Sequence, residues 1–157
     1  MIVISASGLK QIVAAAEKAF PLEACGLLVG YTDDKGARQV TDVHDSPNLA
    51  ADARHAFEVD PALLITLHRR ARRGGDKVIG LYHSHPNIRA QPSQTDLERA
   101  WEPDLTWLIT SVVAGQAVLT TAHKMIDDGS RFEQVLLRTD DWAPYPSRDP
   151  MPRSGLE

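Results

Sequence analysis

Two spacings of apolar residues alternate along this chain, and the switches between them mark its elements. Ile2-Val3-Ile4 is a short apolar run suited to a buried strand. Leu9, Ile12, Val13, Ala16 and Phe20 then recur at three- and four-residue intervals. That spacing predicts a helix capped by Ser5 or Ser7 and ended by Pro21. Gly26 to Tyr31 is again continuous and apolar, and the turn Asp33-Asp34-Lys35-Gly36 predicts that Arg38 to His44 pairs back on it. Asp45 to Arg54 has loop composition, and Phe57-Glu58-Val59 is expected as a brief strand. Asp60-Pro61 opens a second helix, with Leu63, Leu64, Leu67 and His68 facing inward before Gly74-Gly75.

In the second half, Val78 to Tyr82 is a buried-strand candidate that can persist to His85, and a helix is expected from Ser93 to about Trp101. Thr106 to Val113, Gln116 to Ile126 and Arg131 to Leu137 predict three strands, the last two joined through Asp128-Gly129. Trp101 and Trp107 are expected in the core. From residue 139 the composition turns to Pro, Ser, Asp and Arg, which predicts one domain over residues 1–138 and a poorly ordered tail over 139–157. Strands and helices intermix, so the expected class is α/β, a three-layer α-β-α sandwich around a mixed sheet.

Composition narrows the function. A length of 157 residues, 43% hydrophobic and 24% charged, suits one soluble core, and a net charge of -4 with interspersed signs predicts no nucleic-acid partner. The basic run Arg69-Arg70-Arg72-Arg73 ends a predicted helix, where it complements the helix dipole. No apolar run reaches the roughly 18 residues of a membrane span, and the first residues lack a signal pattern. Cys25 is the only cysteine, so no disulfide forms within the chain; it is expected as a small buried hydrophobe. A cytoplasmic protein is the resulting expectation.

The chemistry gathers in Val78–Asp96. Side chains at i and i+2 of a strand point the same way, so a strand lasting to His85 aims His83 and His85 at one point. Pro86 ends regular pairing, and Ser93-Gln94-Thr95-Asp96 heads the next helix. Ser-x-x-Asp there is close to a capping box, yet it also returns a carboxylate toward the histidines. Two histidines, one carboxylate and an open fourth position are the ligand set of a catalytic zinc. Ser84 lies between the ligands and should point to the other side, supporting the backbone. His44, His55, His68 and His123 lack chelating spacing and are expected to be structural or exposed.

Glu23, then His83-Ser84-His85-Pro86, Ser93 and Asp96, resembles the JAMM motif of the active MPN (Mov34/PAD-1) metalloproteases, with matching residue types and spacing. Pro21 to Gly30 and Phe57 to Pro61 resemble small prokaryotic members, and the likeness spans about Ile2 to Leu137. The resemblance implies the MPN, cytidine-deaminase-like fold. It implies zinc on His83, His85 and Asp96, with Glu23 and Ser93 as catalytic residues, the general base and the oxyanion donor. It further implies hydrolysis of an amide bond after the C-terminal Gly-Gly of a ubiquitin-like or sulfur-carrier protein, by a monomer or homodimer. The alternative is a non-catalytic MPN scaffold, which the intact motif disfavours. DNA-repair relatives with a similar motif carry Asn where this chain has Ser84.

Overall fold

The computed structural model describes residues 1–100 and 102–140. Along it run β1 (Ile2–Ser5), α1 (Ala6–Ala19), β2 (Cys25–Thr32), β3 (Arg38–Ser46), α2 (Pro61–Arg72), β4 (Lys77–Pro86), α3 (Gln94–Arg99), β5 (Thr106–Val113), β6 (Gln116–Met125), β7 (Phe132–Val135) and β8 (Leu137–Asp140). Ser5 is the cap of α1, its hydroxyl accepting from the Gly8 N–H. Asp60 caps α2 with Pro61 at the first helical position, and Arg69, Arg70 and Arg72 lie in the last turn, toward the negative end of the dipole.

All eight strands form one mixed sheet in the order β7-β6-β5-β4-β2-β3-β1-β8. β4 is central, antiparallel to β2 and parallel to β5, and its residues Ile79 to His85 are all buried. A register shift opposite Leu28/Val29 leaves Ile79 as an extra residue in β4. Ile79 and Tyr82, of opposite parity, consequently pack in the same core cluster.

The sheet curls nearly shut. Val135 pairs with Ala122 on β6, while Leu137 pairs with Ile2 on β1, at the opposite end of the strand order. Only Leu136 separates them, so the two ends of the sheet approach within about 8 Å. Laid flat, eight strands would span about 33 Å. Helix α1 lies inside the curl, touching β1, β3, β4, β5, β6 and β8, with Leu9 and Ile12 packed among Ile2, Leu28, Tyr82, Leu108 and Ala122. Helix α2 packs outside, placing Leu63, Leu64 and Leu67 against Leu27, Leu81 and Trp107. The α/β class and the mixed sheet are as expected, with α1 and α2 packed in separate clusters against the curled sheet.

Several expectations need correction. The strand predicted over Arg131 to Leu137 is two strands, because the chain bends at exposed Leu136 to serve both sheet edges. β8 continues to Asp140, two residues past the predicted boundary, because Thr139 and Asp140 pair with Ile4 and Ser5. Phe57-Glu58-Val59 forms only an isolated bridge, Val59 with Asn48. His68 is exposed: it falls on the outer face of α2, opposite buried Leu67. In α1, Ala15 and Ala19 join the core rather than Val13 and Phe20. Trp107 is buried as expected, whereas Trp101 and residues 141–157 lie outside the described residues.

Candidate active site

Strand register assembles the site. β4 stays extended through Pro86, so His83 and His85 share one face, while Ser84 turns to the other. Cys25 on β2 lies opposite His83, and continuing that antiparallel register two residues back sets Glu23 opposite His85. Ser84 locks the alignment: its hydroxyl accepts from Ala24 N–H at 2.7 Å and its N–H donates to Ala24 C=O at 3.1 Å. The support expected of Ser84 is therefore a clamp on the residue after Glu23.

Ser93 caps α3, accepting from Asp96 N–H at 3.0 Å, while Ser93 N–H donates to Asp96 Oδ2 at 2.9 Å. This reciprocal pair is a capping box. The same Oδ2 lies 3.1 Å from Nε2 of both His83 and His85, and those nitrogens are 3.0 Å apart. Capping and convergence are one arrangement, since the box holds the carboxylate where the histidines meet.

Glu23, His83, His85 and Asp96 are all buried, and one donor atom from each lies within 4.8 Å of the others. Glu23 Oε1 has no hydrogen-bond partner among the described residues. A buried, unpartnered carboxylate beside two imidazoles and a second carboxylate is costly unless a cation joins them. Tetrahedral zinc with nitrogen and oxygen donors at about 2.0–2.2 Å spaces those donors by about 3.3 Å. The observed triangle of 3.0–3.1 Å fits a metal ion of that size with little movement.

Neighbouring groups set each imidazole. His85 Nδ1–H donates to Arg89 C=O at 2.7 Å, which leaves Nε2 with its lone pair toward the site. The loop carrying Arg89 is pinned by Ser111 Oγ to Ile88 C=O, by Thr121 Oγ1 to Ala90 C=O, and by buried His123 beside that same carbonyl. The His83 ring stacks on Phe57 with centroids 4.3 Å apart and meets the edge of Trp107 at 5.5 Å.

Burial lowers the pKa of His83, outweighing the attraction of Asp96. His85 is also pulled down by burial, but its bonds to Asp96 and to Arg89 C=O leave it raised. For Asp96 burial acts upward, and the two histidines together hold it well below the usual carboxylate range. Glu23 is pushed up to about 8, chiefly by burial. The other expectations hold in part: Cys25 is buried, its thiol pushed up to about 12 by burial. His44 and His55 pair with Asp42 and Asp52 at 2.9 Å.

Sequence reasoning missed Asn48, whose amide touches the Glu23 carbonyl, because it sits in a stretch that reads only as loop. It also missed Phe57 as the platform under His83. No spacing signal announces either residue.

Two histidines, an aspartate and an adjacent buried glutamate on a curled α/β sheet form, among the described residues, a cluster able to hold a metal ion, the arrangement of a metal-dependent hydrolase. Residues 5–124 match the prokaryotic homologs of the JAB domain, and the chain belongs to that family, the small prokaryotic branch of the JAMM hydrolases. It is 43% identical over 111 residues to the desampylase of Haloferax volcanii, covering 71% of this chain and 75% of that protein. It is 30% identical over 138 residues to the CysO-cysteine peptidase of Mycobacterium tuberculosis, covering 86% and 90%. The solution structure of a Desulfitobacterium hafniense protein superimposes with a TM-score of 0.75 at 30% identity, covering 89% of this chain and 94% of that one. Among the described residues no helix is long and apolar enough to cross a membrane.

Proposed function

We propose that this protein is a zinc metallopeptidase or isopeptidase that hydrolyses the amide bond after the C-terminal Gly-Gly of a ubiquitin-like or sulfur-carrier protein in the cytoplasm. The observation that carries the reading is the buried Glu23 Oε1, without a partner among the described residues and within reach of the His83, His85 and Asp96 donors. The curated relatives named as a desampylase and a CysO-cysteine peptidase support the substrate class.

His83 and His85 would hold zinc through Nε2 and Asp96 through Oδ2. Zinc supplies Lewis acidity and a water nucleophile of near-neutral pKa. Glu23 would accept a proton from the attacking water and deliver it to the leaving amine; its burial raises its pKa toward the range where both transfers are feasible. Ser93 keeps its cap through the oxygen lone pair, leaving the hydroxyl proton to donate to the oxygen that becomes charged. Glu23, His85 and Ser93 line one cleft together with Pro21, Arg54 and Ile88, which is where the tail would enter.

The test is direct. The zinc-loaded protein, incubated with a ubiquitin-like protein whose Gly-Gly is amide-linked to a lysine side chain or a single amino acid, should release the free Gly-Gly terminus, read by mass spectrometry. Chelation should stop the release. A fully zinc-loaded protein that cleaves neither adduct would remove the reading.

A further inference from the structure

We infer that Asn48 is a positioning residue for the catalytic glutamate, fixing the backbone that aims Glu23 at the site. Its amide uses its full hydrogen-bonding capacity within one small region. Nδ2 donates to the carbonyls of Glu23 and Ala56, each at 3.0 Å, and Oδ1 accepts from the N–H groups of Ala50 and Glu58, each at 3.0 Å. Two carbonyls on one side and two N–H groups on the other admit only one orientation of the amide. One side chain thus ties three segments together: Glu23, two residues before β2, the 50–56 turn and the extended run ending at Val59.

The tie matters because Glu23 is held by its flanks alone. Its N–H donates to Ala53 C=O at 2.7 Å, in the turn that Asn48 closes, and its own carbonyl is held by Asn48. The other end of that same peptide, the Ala24 N–H, donates to Ser84 Oγ at 2.7 Å. Among the described residues the Glu23 side-chain Oε1 has no hydrogen-bond partner. The backbone fixes where the side chain starts toward the site, and Asn48 and Ser84 together hold the peptide plane on its C-terminal side, one at each end. The same turn carries Arg54 and His55 to the cleft wall, so the device also registers that wall against the base.

The inference rests on Glu23 being the base, and its test separates the two. Asn48→Asp keeps the accepting oxygen but faces a second oxygen toward the Glu23 and Ala56 carbonyls. Asn48→Ser shortens the reach. Using a Gly-Gly tail peptide amide-linked to a fluorescent amine, both variants should lose about 10- to 100-fold in kcat per zinc-loaded molecule. KM should stay within about twofold, with zinc still near one per chain. Unchanged kcat per zinc-loaded molecule, a rise in KM alone, or loss of fold in both variants would overturn the inference and leave Asn48 a loop-stabilising or substrate-binding residue. Glu23→Gln measured alongside keeps the readings apart: an active Glu23→Gln removes the base itself, whereas inactive Glu23→Gln with fully active Asn48→Asp removes only Asn48.

Discussion

Asp96 Oδ2 accepts from the Ser93 N–H at 2.9 Å and lies 3.1 Å from each histidine Nε2, so one oxygen serves a helix terminus and an ion site. Asp96→Asn separates the duties. Its amide oxygen still accepts from Ser93 N–H, and the lost charge at a helix N-terminus costs less than about 1 kcal/mol. Metal binding should fail, because a neutral amide is a poor zinc donor. Elemental analysis should find zinc falling from about one per chain to below about a tenth. Urea unfolding in chelator should stay cooperative at a lower midpoint, because the carboxylate's bonds to His83 and His85 go with its charge. Full zinc content in the variant would remove Asp96 as a ligand.

Glu23→Gln should bind zinc normally and lose turnover by about 10²- to 10⁴-fold, the usual contribution of a general base. Gln preserves size and hydrogen-bonding atoms but cannot accept the proton. Single-turnover assays with known zinc content check this, and near-native turnover would assign the base elsewhere.

Much of this site could be read from the sequence, because its geometry is local. His83 and His85 need only a strand's two-residue period, and Ser93 and Asp96 need only a helix cap. Glu23 is 60 residues upstream of His83, and no periodicity links them; their proximity comes from the β2–β4 register, and only the family resemblance placed it beforehand. Asn48 had neither signal. Most strand periods were likewise readable, but the curl was not: nothing in Phe132–Val135 or Leu137–Asp140 says which strand each will meet. The bend at Leu136 sends four residues to one edge and four to the other.

Ser93 should show two separable losses. Ser93→Ala removes the cap, at about 1 kcal/mol, and the hydroxyl donor, at about 10²- to 10³-fold in kcat. Ser93→Asn restores an N-cap but not the hydroxyl, so thermal stability should recover while kcat stays low. Recovery of both in Ser93→Asn would reduce Ser93 to a capping residue.

Metal-free protein should become less stable as pH rises from about 5 to 8.5, relative to metal-free Glu23→Gln. Burial raises the folded-state pKa of Glu23 to about 8, from 4.5 in an exposed carboxyl. Between those values the folded state binds a proton that the unfolded state has released. That stabilisation is complete below the unfolded pKa and is lost as pH climbs through the folded one, by an amount on the order of a few kcal/mol. Comparison with Glu23→Gln removes the part due to His83 and leaves the Glu23 contribution together with its coupling to His85 and Asp96. Parallel urea midpoints across the range would show that Glu23 does not titrate this way.

The sheet's closure should depend on β8. Ile2, Val3, Ile4 and Ser5 of β1 pair with Leu137 to Asp140, and Leu137 also packs against the core around α1. Ending the chain after Leu136 would expose β1 as an unpaired, apolar edge, the geometry that recruits other strands. Such a truncation should lower the melting temperature by about 10 °C or more and produce soluble aggregates by light scattering. Ending it after Asp140 should leave both measurements unchanged, which also tests the end of the domain. Leu137→Ala, which keeps the backbone ladder, should cost about 1–2 kcal/mol, less than a fully buried leucine because this one is half-buried. If the Leu136 truncation melts with the full chain, the two sheet edges are not held together by β8, and the curl must be maintained by α1 alone.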